Sequence, residues 1–430
     1  MSRRWPARVQ AASLVLLVAA CTMQSGAGPD GQSRSPAAGA AHAAGSLPDG
    51  VSFRQSMLTT EGGSPVRVSV LTVRQDARVD VLSSHGGAVA TTDTVRELAR
   101  REQAVAAVNG TFFDVDSARY GGDPLGLYIS RGMLLSEAAG RRTALILPGR
   151  GQRPRITELG SSTHVTSSDG ARAVVDGTDR VPGRIVGCGG VGGDRLADTG
   201  VLTVAPHPGR VCFDPDEIVA FSPQWGVPTP SGDRDSAEVV LDAHGTVTAV
   251  RSPAGGPIPQ EGRALVGIGS GAAWLRRHGA PGRTLTVSSR VTDPAGQPVE
   301  TRGASVLGAG PALVRRGRTW INAAPNGMSP GAVRARAPRT VVGVRADGTL
   351  LLVVFDGRRP GVSEGVSLAE AARILVSMGA EDAMNLDGGG STTMVVQDRV
   401  RNSPSDAGRT DEERQREVSN ALVVVPRRNP

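Results

Sequence analysis

Three residues stand where chemistry could be done. Asn109, Asp356 and Asp387 each follow an apolar run and each precede glycine, in the segments AAVNGTFFD, LLVVFDGR and AMNLDGGGSTT. Ligand clefts form at the carboxyl ends of strands, so one amide and two carboxylates leaving buried strands are expected to converge on one pocket. Glycosidic cleavage uses one carboxylic acid to protonate the leaving oxygen and a second carboxylate to attack or to activate water. Asp356 and Asp387 are the expected pair, with Asn109 orienting sugar or water. A phosphate leaving group relaxes the need for a proton once its charge is matched by Arg and backbone N–H groups. Gly388 to Gly390, preceded by Asn385 and followed by Ser391 and Thr392, would let backbone N–H groups and hydroxyls face an anion. A plain glycine-rich turn fits that composition equally well. Arg339, followed by Thr340, offers a charge-assisted clamp for a phosphodiester, against the ordinary reading of a lone Arg as a solvated surface residue.

Other templates are missing. The chain has no Lys, which removes the Walker A lysine, the Schiff-base lysine and the Ser/Lys dyad. It has no HExxH, and none of its six His residues lies beyond His278, so Ser391 has no nearby His for a Ser/His pair. The net charge of +7 is spread along the chain and aromatics are only 3%, which argues against a nucleic-acid partner. No metal or cofactor is expected. A weaker reading has the Asp residues holding a metal for a phosphodiesterase.

The elements that must position these residues are legible in part. Arg3, Arg4 and Arg8 precede a short apolar run from Ala11 to Ala20 that reads as an export signal over residues 1–20. Val18-Ala19-Ala20-Cys21 resembles a bacterial lipobox, so Cys21 is the expected lipidation site and the protein is expected outside the cytoplasm, anchored to the membrane. The Gly-, Ala-, Ser- and Pro-rich residues 21–50 read as a flexible tether. Cys188 and Cys212 then remain, an even number in an oxidising compartment, which predicts a disulfide. With only His207 nearby, a zinc site is the weaker reading.

Val66 to Val73 alternates as a strand. Thr92-Asp93 is a cap for a short helix that leads into the strand Ala104–Val108, and Ser367 with Glu370 forms a capping box for a helix ending at Met378-Gly379. Thr340–Ala346 and Leu350–Phe355 pair around Asp347-Gly348 with a two-residue turn. Residues 149–300, rich in Gly and Pro, read as a mostly β insertion, with a helix starting near Gly269.

At these segments the chain resembles the phosphodiester glycosidase family. The resemblance is carried by AAVNGTFFD, DPLGLYISRG (Asp123 to Gly132), GAGPALVRRG (Gly308 to Gly317), RTVVGVRADGTLLLVVFDGR (Arg339 to Arg358) and GVSLAEAARILVSMGAEDAMNLDGGGSTTMVV (Gly365 to Val396). RNSPSD (Arg401 to Asp406) and EVSNALVVV (Glu417 to Val425) look like the family's last loop and strand. The resemblance implies an α+β fold, mixed β-sheets with packed helices, split into residues 51–148 and 301–430 around the insertion. It implies functional roles for Asn109, Arg339, Asp356, Asp387, Gly388, Gly389 and Ser391, and adds Asn402 at the rim. It also implies hydrolysis of a glycosyl-1-phosphodiester, here in a phosphorylated envelope glycan. The alternative is a non-catalytic lipoprotein that binds such glycans.

Overall fold

The computed structural model describes residues 46–427 apart from 116, 118, 150–151, 208, 407–409 and 411–412. The expected signal peptide, Cys21 and nearly all of the tether lie outside the described residues.

β-branched residues dominate the apolar runs, and they form sheets. Seven strands make the first sheet, in the order Val51–Thr59, Pro65–Val73, Leu350–Phe355, Arg339–Arg345, Ala380–Asn385, Ala312–Arg315 and Arg318–Thr319. The second has Arg399–Val400, Met394–Val396, Ala106–Asn109, Ala421–Pro426 and Val79–Ser84. All pairings in both are antiparallel. Arg339–Arg345 and Leu350–Phe355 are buried on both faces. Val342, Val344, Leu350, Leu352 and Val354 enter the core shared with Val108, Leu422 and Val424 of the second sheet. Val341, Leu351, Val353 and Phe355 pack on Leu368, Ala371, Ala372 and Leu375 of the helix Leu368–Ser377. The hairpin loop is one residue longer than expected: Arg345 N–H bonds to Thr349 O, and Gly348 takes φ +84°.

Local helix signals mostly hold. Ser367 and Glu370 form the capping box, and Gly379 follows the end at φ +82°. The N-terminal helix is Val95–Arg101, capped by Thr94 with Glu97 rather than by Thr92-Asp93, because Asp93 is engaged in a β-bridge with Val418.

The expected α+β class is overturned: the protein is mostly β. Among the described residues the α-helices are Val95–Arg101, Gly269–His278, Pro330–Arg334 and Leu368–Ser377, all short. A strand buried on both faces reads the same whether a helix or another sheet covers it. Here sheets supply most of the cover.

Residues 149–300 contribute strands to three further sheets. Arg155–Ser167 pairs with Arg142–Leu147 on one side and Leu285–Thr292 on the other. Ile218–Phe221, Gly262–Gly267, Ala237–Asp242 and Val247–Arg251 form a separate sheet with Gly177–Thr178, covered by the helix Gly269–His278 through Ala272 and Leu275. A small lobe of Ile185–Val186, Val211–Phe213 and Arg195–Leu196 is closed by the Cys188–Cys212 disulfide, both cysteines fully buried. Two ion pairs tie this region to earlier strands. Arg180 lies between Glu137, at 2.8 Å, and the fully buried Glu217, and Arg184 pairs with Asp114.

Removing one member of a buried ion pair leaves the other uncompensated. Arg180→Met should therefore lose about 3–5 kcal/mol of unfolding free energy in urea melts. A change within error would show that Glu217 finds another partner.

Candidate active site

Antiparallel register brings the expected residues to one edge. Arg339 begins its strand opposite Phe355, and Val341 lies opposite Asn385, so the start of one strand and the ends of two others share that edge. Asn109 closes the second sheet against it. The fully buried Asn109 amide donates from Nδ2 to Asp387 O at 2.7 Å, and its Oδ1 accepts from Thr340 Oγ1 at 2.6 Å and Thr393 N at 3.1 Å. Asp387 N–H in turn donates to Gly110 O. Asn109, Thr340 and the LDGGGST loop therefore form one hydrogen-bonded joint. Gly110 has a packing reason as well, since a Cβ there would collide with Asn420 Oδ1.

Other members of the expected set are committed to the fold. Arg339 is buried and donates from Nε and Nη2 to the carbonyls of Val366, Ala332 and Ala335. Asp356 accepts the Ser403 N–H on both oxygens, at 3.0 and 3.1 Å, which pins the Arg401–Asp406 segment. Asn402 fastens the same segment, accepting from Met394 N and donating to Thr392 O. Within LDGGGST, the amides of Gly389, Ser391 and Thr392 donate to backbone carbonyls, and Gly388 N–H donates to Asp387 Oδ1 at 2.8 Å. Gly389, at φ +62°, supports the turn, and Gly390 leaves room for the Arg416–Asp406 pair. The hydroxyls of Thr392 and Thr393, and Asn385 Oδ1, are buried without a protein partner. Unpaired buried polar atoms are rare in proteins and cluster here.

Asp387 is the member of the set that borders a cavity, of about 320 Å³. Burial pushes its carboxyl up to about 6, against the opposing pull of the Ser391 hydroxyl, the Gly388 amide and the Arg416 charge. Around it the cavity is lined by Phe112, Phe113, Asp114 and Val115, by Val186, Gly187 and Gly209 of the cystine lobe, and by Arg142, Asn326, Met328 and Arg416. Asp114 is held by Arg184, and Arg416 by Asp406 at 2.9 Å.

Sequence reading missed Arg142 and Arg416. Asp114 carried a signal, as the last residue of NGTFFD. Arg416 sits among the charges of DEERQREV and Arg142 heads an apolar strand, RTALIL, so neither stood out. Among the described residues no three His, Cys, Asp or Glu side chains converge as a metal-ligand set.

The family pattern described as phosphodiester glycosidase matches residues 235–425, a span that contains Asp356, Asp387 and Arg416. Residues 235–425 carry a phosphodiester glycosidase domain. Bovine N-acetylglucosamine-1-phosphodiester alpha-N-acetylglucosaminidase is 33% identical over 103 residues, 22% of this chain and 19% of that one. A prophage-derived protein of Bacillus subtilis is 35% identical over 74 residues, covering 17% of this chain and 11% of its own length. The chain thus spans a fifth or less of these curated relatives. The likeness extends further among solved structures. A putative exported protein of Burkholderia pseudomallei superposes with TM-score 0.74 at 30% identity, over 86% of this chain and 76% of that one. A hypothetical protein from Synechocystis gives 0.66 at 25% identity, over 87% and 62%.

If Asn109 is the joint between the sheets, Asn109→Ala strands Thr340, Thr393 N–H and Asp387 O at once. At about 1–3 kcal/mol for each buried group left unsatisfied, a loss of at least 3 kcal/mol in urea or thermal melts is expected. A loss below 1 kcal/mol would mean that the joint is held elsewhere.

Proposed function

We propose that the protein hydrolyses the bond between a sugar's anomeric carbon and a phosphodiester, in a phosphorylated glycan of the cell envelope. The observation that carries the reading is Asp387, a carboxylate raised to about 6 at the wall of a cavity that also holds Arg142 and Arg416. At neutral pH Asp387 is ionised and faces a site with fixed positive charge, the arrangement that attack on a sugar carbon with a departing phosphate calls for. Water adds to the anomeric carbon and the phosphate monoester leaves with the bond's electron pair. Asp387 acts as nucleophile or as base toward that water. Asp114, on the same wall, is the nearer candidate for a second carboxylate, with Asp356 holding the Arg401–Asp406 segment in place.

Two features support a site outside the cytoplasm. The buried Cys188–Cys212 pair suits an oxidising compartment, and the Burkholderia relative is described as exported. The lipid anchor on Cys21 belongs to the same proposal and rests on the sequence Val18-Ala19-Ala20-Cys21.

Purified protein should release free sugar from synthetic sugar-1-phosphodiesters. Asp387→Asn should cut kcat/KM by about 10²–10⁴ while the substrate still binds. Because the ionised form acts, kcat/KM should fall as pH drops through about 6. Binding of phosphorylated glycan with no turnover by the wild type at any pH would favour the non-catalytic alternative.

A further inference from the structure

Arg142 differs from Arg180, Arg184, Arg339 and Arg416. It begins the strand Arg142–Leu147, paired with Leu159, and is 7% exposed. Arg180 has Glu137 and Glu217, Arg184 has Asp114, Arg416 has Asp406, and Arg339 has three carbonyls. Arg142 Nε is buried with no partner, and among the described residues no carboxylate forms an ion pair with the guanidinium. Burial alone acts on it, lowering its pKa to about 10, so the group keeps its charge at neutral pH. A buried, uncompensated charge is strongly unfavourable in a folded chain. Such a group persists where a ligand supplies the counter-charge, and Arg142 lines the cavity that contains Asp387. Gly187 of the cystine lobe faces it, and a Cβ there would lie 3.4 Å from Nη2, so the glycine keeps that side of the fork open.

We propose that Arg142 is the anion anchor of this cleft, its guanidinium fork taking the non-bridging oxygens of the substrate's phosphodiester. The proposal deepens the hydrolase reading and rests on it for the identity of the ligand. The geometry suits a diester monoanion, because a planar fork meets two oxygens at once, whereas an ammonium meets them as a point charge. It also gives the cystine lobe a part in recognition, since Gly187 borders the same cavity beside the Arg142 guanidinium.

The test is calorimetric titration of the full chain with inorganic phosphate, together with thermal melts, for wild type, Arg142→Gln and Arg142→Lys. Wild type is expected to bind saturably, Arg142→Gln at least tenfold more weakly and Arg142→Lys in between. Without phosphate, Arg142→Gln should melt no lower than wild type, since it removes an unpaired buried charge, and phosphate should raise the melting temperature of wild type most and of Arg142→Gln least. In turnover of a sugar-1-phosphodiester, KM should rise more than kcat falls. A folded Arg142→Gln with wild-type phosphate affinity overturns the proposal, as does a wild type with no saturable binding. Should Arg142→Gln fail to fold, Arg142→Lys decides, and undiminished affinity there equally counts against the fork. Phosphate bound through Arg142 by a protein that turns over no sugar-1-phosphodiester supports the anion site and removes the hydrolase reading instead.

Discussion

The architecture depends on one buried amide. Asn109 ends a strand of the second sheet, yet its side chain bonds to Thr340 and Asp387, which begin and follow strands of the first, as well as to Thr393 N–H. A carboxamide has one acceptor oxygen and two N–H donors, which is what this joint requires: the oxygen takes a hydroxyl and a backbone N–H, and the nitrogen reaches a carbonyl. An aspartate could not donate to Asp387 O, and a leucine would leave three buried polar groups unmatched. Because the carbonyl it holds belongs to Asp387, the residue that fastens the sheets together also sets where the cleft's carboxylate stands. The fold and the site are one hydrogen-bond problem at this position.

Charge in the cleft follows from the same packing. Asp387 leaves a buried strand, so its carboxyl is poorly solvated and rises to about 6, while the Gly388 amide and the Arg416 charge keep it from rising further. Arg416 is itself held by Asp406 through the space left at Gly390. The glycine run therefore acts through close approach: the Gly389 amide binds Pro338 O, the Gly388 amide serves Asp387, and the absent side chain of Gly390 admits an ion pair. Poor solvation also strengthens every interaction within the cleft, which is where fixed dipoles and charges are most effective on a charged reaction centre.

Local patterns could be read from the sequence and their surroundings could not. The Ser367 capping box, the hairpin strands around Asp347-Gly348 and the pairing of Cys188 with Cys212 depend on neighbours in the chain or on simple parity, and each is present in the structure. The edge shared by Asn109, Thr340 and Asp387 was visible as apolar runs ending before glycine. The cover of those runs was not, because Leu350–Phe355 has the same apolar content whether a helix or a sheet lies over it, and the α+β expectation failed there. Asp356 looked like Asp387 in sequence, yet both its oxygens take the Ser403 amide, a contact 47 residues distant that no local pattern announces. Arg142 was hidden for the opposite reason, since one arginine at the head of a strand is ordinary until its lack of a counter-charge is seen.

The cleft has two histories in the chain. The family pattern spans residues 235–425 and so includes Asp387, Arg416 and the loop that positions them. Asp114, Arg142, Val186 and Gly187, which line the same cavity, all lie before it. In the proposed reaction Asp387 acts at the bond to be broken with Asp114 as the second carboxylate, Arg142 holds the phosphate, and the lobe residues Val186 and Gly187 border what the phosphate carries. The disulfide closes the lobe bearing Val186 and Gly187, and the Arg184–Asp114 pair ties it to the segment that follows Asn109. A lobe constrained at both places cannot swing freely, so the width of the cleft is a built property of the fold. Chemistry would then be shared across the family, while the choice of aglycone would follow the cystine lobe and the strand that carries Arg142.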